Sequence, residues 1–331
     1  NCFPGRPVTL KTKKLPMPST DLSQCVSDLE SSGYCYLADA LSATEVLQLQ
    51  QRLSEQAQAE EQHGVAYKDG APNQNWGDFR DEQGELRPAA FDPAAGGANQ
   101  RIWMLVNKGQ LFVDLLQHSN VRNILSSILG DEYILSSHIA NIARPGGVAM
   151  RLHTDQWWMP PPTRPDRRCL PAGSINRTRF DIDEIHGAAI SPPVVVNVLW
   201  MLDPFTEENG STRVVPRSHL LCRQPDENAV SVAATAPAGT ALVVDGRTWH
   251  GTGANIGGGE RRAVLTTFCA PQFRPQENYT VGTRSEVLER ADDDLRTLLG
   301  FKIWNAYGRT GHPTDKFISP GAELIGELSP T

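Results

Sequence analysis

From about residue 132 onward the chain alternates short β-branched runs with turn residues, and this alternation limits the possible folds more than any other feature. Six such runs predict strands over residues 133–135, 139–143, 194–200, 212–215, 240–244 and 263–268. The chain also has 28 Gly and 24 Pro in 331 residues, more than average composition gives. Many short strands joined by Gly- and Pro-containing turns are typical of a β-sandwich or a β-barrel.

Helices are predicted mainly before this β region. The sequence Ser42-Ala43-Thr44-Glu45 matches a capping box, and it predicts the start of a helix that runs to about Gln62. Further elements are predicted from the apolar spacing: helices over 20–31, 110–129 and 285–299, a strand over 34–37, and a long loop over 63–100. The fold class expected is therefore mainly β with flanking helices.

We expect residues 1–331 to form a single catalytic domain. Its three parts are a mainly helical part with a loop (1–131), a β core (132–270) and a C-terminal extension (271–331). The core contains an insert, residues 156–193, which is too long for a hairpin turn and holds five arginines. Long loops inside compact domains are usually functional or disordered. We therefore expect the insert to fold over a substrate as a lid, the alternative being a solvated loop.

The composition argues against several classes of protein. The formal net charge is −7, which disfavours a nucleic-acid binder with a generally basic surface. No run of about 18 apolar residues is present, so no membrane-spanning helix is expected. The six cysteines are scattered without a CxxC pair, as is ordinary for a reduced cytosolic protein. We therefore expect a cytoplasmic location.

His153, Asp155 and His250 are the residue types of a metal site. On a strand, residues two apart face the same side, so the imidazole of His153 and the carboxylate of Asp155 converge. His250 follows 97 residues later, after several predicted strands. Two histidines and one carboxylate, with open positions left over, hold non-haem Fe(II) in oxygenases. The His-x-Asp pattern by itself also fits a solvated or hydrogen-bonded pair.

Arg261 indicates a second kind of site. It lies 11 residues after His250, at the head of the predicted strand 263–268. A guanidinium can hold a carboxylate through two parallel hydrogen bonds, as a dicarboxylate cosubstrate such as 2-oxoglutarate would require. Arg262 is the alternative, because side chains alternate along a strand and only one of the two arginines can face the site.

Four stretches of the sequence, in this order, resemble a known family. They are His153-x-Asp155, residues 208–219 (ENGSTRVVPRSH), His250-Gly251-Thr252-Gly253-x-Asn255, and Arg261. Together they resemble the phytanoyl-CoA dioxygenase (PhyH) type of Fe(II)/2-oxoglutarate oxygenase, from Asp21 to about Phe268. The second stretch departs from the family pattern at Arg217, where Gly is usual. The resemblance implies a double-stranded β-helix (a cupin-like jelly roll) with iron between its two sheets.

The same resemblance implies roles for single residues. His153, Asp155 and His250 would be the iron ligands, and Arg261 would pair with the distal carboxylate of 2-oxoglutarate. Lys108 would be the lysine that the family often supplies to the cosubstrate, unless it is a surface residue. On the family pattern one of Asn197 and Leu199 would line the cosubstrate pocket. Two further candidates follow from their positions beside the metal motif. Arg151, two residues before His153, would touch the cosubstrate or the substrate, or be an exposed strand residue, and one of Trp157 and Trp158 would line the substrate pocket, the alternative being a place in the core only.

The activity that the resemblance implies is oxidation of a C–H bond, most often hydroxylation, in which O₂ and 2-oxoglutarate are consumed and succinate and CO₂ are released. Halogenating relatives have a small residue at the position of Asp155, so halogenation is not expected. The expected partner is a small organic molecule such as a secondary metabolite, with the chain a monomer or a homodimer. Two alternatives are a cupin-like metal enzyme that does not use 2-oxoglutarate, and an inactive binding protein of the same fold.

Replacing residues 163–188 by a Gly/Ser bridge tests the lid. We expect iron and 2-oxoglutarate binding to be largely retained, because their predicted ligands lie outside this segment. Coupled product formation is expected to be lost while succinate is still released slowly, because closure of a lid completes a substrate site. The measurement is the ratio of succinate to oxidised product. An unchanged ratio with an unchanged substrate KM would contradict the lid and direct attention to residues 63–100.

Overall fold

The computed structural model describes residues 14–72, 97–156, 159, 190–221, 225–226, 228–310 and 316–320. Most of the insert 156–193, with Trp157 and Trp158, and most of the predicted loop 63–100 lie outside the described residues. The lid and the two tryptophan roles therefore stay predictions.

The described part of the chain contains ten strands and is mainly β. They are β1 (Tyr34–Leu37), β2 (Tyr67–Asp69), β3 (Asn99–Ile102), β4 (Ile134–Ala143), β5 (Val195–Met201), β6 (Thr212–Val214), β7 (Val232–Ala233), β8 (Ala241–Asp245), β9 (His250–Thr252) and β10 (Arg261–Cys269). Seven of them form a major antiparallel sheet in the order β1-β8-β5-β10-β4-β3-β2, and three form a minor sheet in the order β7-β6-β9.

The two sheets face each other across a shared apolar core. Leu199 and Leu242 of the major sheet and Val214 of the minor sheet belong to one buried cluster. The alternate side chains of β5, Val196, Val198 and Trp200, belong to a second cluster that contains the buried faces of the helices. Because side chains alternate along a strand, the major sheet has an inner face toward the minor sheet and an outer face toward the helices. The predicted double-stranded β-helix is thus confirmed.

Seven helices are present among the described residues. They are α1 (Leu22–Ser32), α2 (Ala43–Gln62), α3 (Gln110–Leu116), α4 (Ser119–Leu129), α5 (Tyr279–Gly282), α6 (Ser285–Leu288) and α7 (Asp293–Leu298). The capping box at α2 is confirmed, since Ser42 accepts from the backbone of Glu45 and Glu45 accepts from the backbone of Ser42. In the described part of the chain no helix is long and apolar enough to span a bilayer.

Two of the predicted helices are divided. The helix over 110–129 is interrupted at Gln117 and His118, because the His118 ring accepts a hydrogen bond from Val121 N and caps a new helix, α4. The helix near 285–299 is two short helices, α6 and α7, and Asp292 caps the second. Apolar spacing predicted the helical faces correctly but not these local caps, which compete with the helix for the same backbone groups.

The predicted loop 63–100 was wrong at both ends, since β2 and β3 pair there as a hairpin at the edge of the major sheet. These strands are short and polar, with Lys68 and Gln100 among their residues, so they carry no apolar alternation that a sequence could show. The predicted strands 133–135 and 139–143 are one continuous strand, β4. The polar residues between them stay in the strand because β10 pairs with β4 along nearly its whole length.

His138 is one of these polar residues, and it is fully buried on the outer face of β4. Its Nε2 lies 2.9 Å from Phe112 O and its Nδ1 lies 2.9 Å from Thr266 Oγ1. A carbonyl can only accept, so Nε2 carries the proton and Nδ1 accepts from the threonine hydroxyl. Burial lowers the pKa of His138 to about 4, which makes it a neutral structural residue.

The pH dependence of stability tests this state of His138. An unfolded histidine takes up a proton near pH 6.5, whereas folded His138 does so only near pH 4, so the free energy of unfolding falls as the pH is lowered between these values. The expected contribution is a loss of about 2 kcal/mol between pH 8 and pH 5. Urea unfolding of wild type and His138→Gln at both pH values measures it.

His138→Gln removes the titrating ring while keeping an amide donor, so its stability should depend less on pH by that amount. His63 is exposed at the end of α2, and the control His63→Gln should keep the wild-type pH dependence. An equal pH dependence in wild type and His138→Gln would contradict the assignment.

Candidate metal centre and active site

Backbone pairing brings the two histidines of the predicted metal site together. His153 N donates to His250 O at 2.9 Å, and His250 N donates to His153 O at 3.0 Å, which forms an isolated antiparallel bridge. The chain then turns, and Asp155 N donates to Gly246 O at 2.9 Å. The His-x-Asp residues therefore converge through one bridge and a turn that is fixed to the loop before β9.

The three side chains meet at one point. Asp155 Oδ1 lies 3.5 Å from His153 Nε2, and Asp155 Oδ2 lies 3.2 Å from His250 Nε2. One ligand atom from each residue lies within 4.8 Å of the other two, and these residues form the one group of His, Cys, Asp or Glu in the described ranges that could hold a metal ion. Two imidazoles and one carboxylate leave coordination positions open on a divalent metal.

Hydrogen bonds at the far side of each ring orient both imidazoles. The Nδ1 of His153 lies 3.0 Å from Arg151 O, and the Nδ1 of His250 lies 2.8 Å from Thr248 O. Because a carbonyl only accepts, each Nδ1 carries a proton, and each Nε2 is the nitrogen that faces the site and could bind a metal when it is deprotonated. Metal-ligating histidines are usually held in this way.

Asp155 is also held from behind. Asn197 Nδ2 donates to Asp155 Oδ2 at 2.8 Å, and Thr267 Oγ1 donates to Asn197 Oδ1 at 2.8 Å. These two consecutive hydrogen bonds fix the carboxylate of Asp155 and the amide of Asn197 in one orientation. The predicted site residue Asn197 is therefore a positioning residue for Asp155, and its predicted place in the cosubstrate pocket stays a prediction.

The charge at this point suits a cation. Burial by itself would raise the pKa of Asp155, but the neighbouring His250 and His153 outweigh it and hold the pKa well below its usual range. The carboxylate is thus ionised at neutral pH beside the Nε2 atoms of the two imidazoles. The donor set, its partial burial and its outer hydrogen bonds all fit Fe(II), which imidazole and carboxylate ligands suit.

Arg261 and Arg262 lie at the start of β10 and face opposite sides of the major sheet. Arg262 is on the outer face, where it forms two hydrogen bonds to Asp203 at 2.8 and 2.7 Å. Arg261 is on the inner face and only 2% exposed. The sequence did not decide which of the two arginines faces the site. In the structure Arg261, and not Arg262, lies between the sheets.

The surroundings of Arg261 leave part of its guanidinium unused. Its Nη2 donates to Gly210 O at 2.7 Å, and its Cζ lies 4.6 Å from the ring centroid of Phe205. Its Nε is buried without a hydrogen-bond partner among the described residues. Burial, reinforced by the charge of Arg101, lowers the pKa of Arg261 to about 9. A buried cation with a free donor is what a ligand carboxylate would need.

Three other predicted residues have different surroundings. Lys108 forms an ion pair with Glu60 of α2, a helix on the outer side of the major sheet. Arg151 is exposed, and its backbone carbonyl contacts the Nδ1 of His153. Leu199 is buried on the inner face of β5. Their roles toward a cosubstrate stay predictions.

Several buried polar residues were not predicted as site residues from the sequence. Buried atoms of three of them, Asp69, Asn141 and Ser211, lack hydrogen-bond partners in the part of the chain that the structure describes. The sequence could have pointed to Asn141, because it is the one amide inside the apolar run 139–143, and to Ser211, because it lies within the family-like stretch 208–219. It gave no indication for Asp69, because the strand that contains Asp69 was not predicted.

Gln156 joins the two ends of the insert. Its side chain is buried, donates from Nε2 to Pro192 O at 2.6 Å and accepts from Val194 N at 2.8 Å. Since Gln156 directly follows Asp155, this contact fixes the base of the insert beside the metal ligands.

A double-stranded β-helix with two histidines and one carboxylate between its sheets defines the class of non-haem Fe(II) oxygenases. The family model described as phytanoyl-CoA dioxygenase (PhyH) matches residues 29–263. The chain belongs to this family, and the resemblance seen in the sequence is confirmed. The enzyme class and cofactors expected from the sequence are those of this family.

Curated relatives include two fungal dioxygenases. The chain is 32% identical to Dioxygenase af480 of Aspergillus fumigatus over 207 residues, 61% of this chain and 59% of that protein. It is 27% identical to the multifunctional dioxygenase prhA of Penicillium brasilianum, over 52% of this chain and 54% of that protein. The chain thus spans little more than half the length of these relatives.

Solved structures share the fold. The α-ketoglutarate-dependent epimerase SnoN from nogalamycin biosynthesis is 18% identical with a TM-score of 0.52, over 80% of this chain and 91% of that chain. The carbocyclase SnoK from the same biosynthesis is 18% identical with a TM-score of 0.53, over 84% and 94%.

Removing one ligand tests the metal centre. His250→Ala should lose most of the bound iron, because the remaining imidazole and carboxylate form an incomplete set. The fold should be intact, since the backbone bridge to residue 153 does not involve the side chain and a chain of this size does not need a metal to fold. His153→Ala and Asp155→Ala should behave alike. Iron content per chain, with circular dichroism as a check of folding, is the measurement.

Two further variants sharpen this test. His63→Ala removes an exposed histidine from the end of α2 and should keep wild-type iron. Asn197→Leu removes the hydrogen bond behind Asp155, together with the one that Asn197 accepts from Thr267, and should weaken metal binding about 10–100-fold. Near-normal iron in His250→Ala would overturn the ligand set.

Proposed function

We propose that this protein is an Fe(II)- and 2-oxoglutarate-dependent dioxygenase that hydroxylates a C–H bond of a small organic molecule. In the overall reaction one oxygen atom of O₂ enters the substrate as a hydroxyl group and the other enters succinate, while CO₂ leaves. The observation that carries the proposal is Arg261, a buried cation with an unpartnered Nε, on the face of the major sheet toward which the metal ligands are held.

The link between the two sites runs along β10. Arg261 and Thr267 lie on the same face of this strand, because their positions differ by six, an even number. Thr267 supports Asn197 and thereby Asp155. One strand therefore positions both the residue that would hold the distal carboxylate of 2-oxoglutarate and the support of a metal ligand, and a short dicarboxylate would be oriented between them.

The residues of the chain have separate parts in the proposed reaction. His153, Asp155 and His250 would hold Fe(II), which with 2-oxoglutarate supplies the activation of O₂. Arg261 would orient 2-oxoglutarate through its distal carboxylate, and the apolar inner faces of the sheets would exclude water from the reacting atoms. The hydrogen bonds at Nδ1 of both histidines would keep their Nε2 atoms directed to the metal throughout.

The proposed substrate class is supported by the relatives. The dioxygenases named above are fungal, prhA is called multifunctional, and SnoN has been solved in complex with Fe³⁺, α-ketoglutarate and nogalamycin RO. A structure of HygX, 13% identical with a TM-score of 0.50, contains nickel, 2-oxoglutarate and hygromycin B. We infer that this chain acts on a comparable small molecule of secondary metabolism. Asp155 argues against halogenation, because it occupies the position that a halide would need.

The adjacent arginines offer a matched test of the cosubstrate. Arg261→Ala should raise the KM for 2-oxoglutarate about 30-fold or more, because a charge-assisted pair in a dry site is lost, while the KM for the prime substrate changes little. Arg262→Ala should leave the KM for 2-oxoglutarate near its wild-type value, because its partner is Asp203 on the outer face. Turnover of 2-oxoglutarate to succinate is the measurement.

The reverse pattern, with the large effect at Arg262, would show that the assignment is off by one residue. Wild-type protein that binds iron but neither binds nor consumes 2-oxoglutarate would contradict the proposed function and favour a metal enzyme of another kind.

A further inference from the structure

Asn141 is the least satisfied polar side chain of the inner face. It lies in the middle of β4, is 1% exposed, and neither its Nδ2 nor its Oδ1 has a hydrogen-bond partner among the described residues. Burying an amide without partners costs free energy, and most buried polar groups avoid it. An apolar side chain of similar volume would avoid this cost, so the residue calls for a reason other than packing.

The strand register places Asn141 beside Arg261. On β10, Asn141 pairs with Ala263, and Arg261 is the next residue on the same face. On its other side Asn141 pairs with Arg101 of β3. A diagonal neighbour on an antiparallel sheet lies about 7–8 Å away and within reach of long side chains. The unpartnered amide therefore lies between two arginines, next to the one with the unpartnered Nε.

The charges around this amide favour a bound anion. Arg101 is close enough to lower the pKa of Arg261, so the two cations repel each other. Asp69 neutralises part of this charge, since Arg101 Nε donates to Asp69 Oδ2 at 2.6 Å. Among the described residues Arg261 forms no ion pair with a carboxylate, although Asp203 and Asp69 are near enough to oppose the effect of burial on its pKa. Its Nε and the Asn141 Nδ2 are both unpartnered donors. Two unpartnered donors on neighbouring strands, one of them cationic, are complementary to a carboxylate.

We propose that Asn141 is a specificity-determining residue, whose amide donates to the same distal carboxylate of 2-oxoglutarate that Arg261 holds. This inference rests on the proposed function and assigns a residue that neither the sequence motifs nor the metal centre includes. In the free protein the buried amide weakens the fold, and the cosubstrate carboxylate satisfies it on binding. Asn141 therefore lowers the stability of the free protein and raises its affinity for 2-oxoglutarate. Such a trade-off is common at functional sites.

Two substitutions of similar size separate this role from a structural one. Asn141→Leu removes the donor and the unsatisfied amide together. It should lower the affinity for 2-oxoglutarate about tenfold or more, the usual loss for a hydrogen bond to a charged group, without lowering the Tm of the free protein. Asn141→Asp places a carboxylate beside Arg261, which should pair with it. Affinity for 2-oxoglutarate should then fall further than in Asn141→Leu, with Tm unchanged or raised.

The experiment uses the full chain with Mn(II) in place of iron and without O₂. Isothermal titration gives the Kd for 2-oxoglutarate and, in a separate run, for Mn(II), and thermal unfolding gives Tm without ligand. The Kd for Mn(II) should be unchanged in both variants, because the Asn141 side chain forms no hydrogen bond to His153, Asp155 or His250. These readouts do not depend on the unidentified prime substrate.

Asn107→Leu is the matched control. The Asn107 amide is fully used, donating to Gly282 O at 2.8 Å and accepting from Arg284 N at 3.0 Å. This variant should show the opposite pattern, a lower Tm with an unchanged Kd for 2-oxoglutarate.

The outcomes are distinct. If wild type binds Mn(II) but not 2-oxoglutarate, the proposed function fails and the inference with it. If wild type binds 2-oxoglutarate and both Asn141 variants bind it equally well, the inference is overturned and the proposed function stands. A lowered Tm with unchanged affinity in the Asn141 variants would likewise overturn it, because Asn141 would then act like Asn107.

Discussion

The site depends on one antiparallel bridge. Two backbone hydrogen bonds join residues 153 and 250, which are far apart in the chain, and bring their ring centroids to 4.6 Å. Without this bridge the imidazoles would lie on separate segments, and Asp155 would have no second nitrogen to face. Backbone hydrogen bonds set this distance, so the ligand geometry depends on the sheet and not on the side chains themselves. That rigidity is what a site with open coordination positions requires.

The two arginines at the start of β10 have different partners on the two faces of the major sheet. On the outer face, Arg262 is neutralised by Asp203 and has the role of an ordinary ion pair. On the inner face, Arg261 has a carbonyl and an aromatic ring as partners, and no carboxylate of the described residues is hydrogen-bonded to it. A buried cation without an anion is costly. The protein accepts this cost at one position, next to another unsatisfied polar residue, Asn141, and this is consistent with a pocket built for an anionic ligand.

Much of this could be predicted because it is local. The alternation of β-branched runs and turns predicts the jelly roll, and the capping box at Ser42 predicts the start of α2. The three candidate metal ligands could also be picked out, since His-x-Asp and a distant histidine beside a strand form a specific pattern, and the structure brings them together. The elements that were not predicted depend on tertiary contacts or on local caps. The polar strands β2 and β3 have no apolar alternation, and the break in the predicted helix 110–129 follows from the cap at His118.

The sequence by itself determined the family, the fold class and the residue types of the site, because those follow from periodicity and from motif spacing. Only the tertiary structure decided which face each residue occupies. Arg261 and Arg262 are chemically alike and adjacent, and the register of β10 against β4 alone separates a buried cation from a surface ion pair. The same register brings Asn141, 120 residues earlier in the chain, next to Arg261. Strand pairing is a long-range property, and no local pattern encodes which distant residues it places side by side.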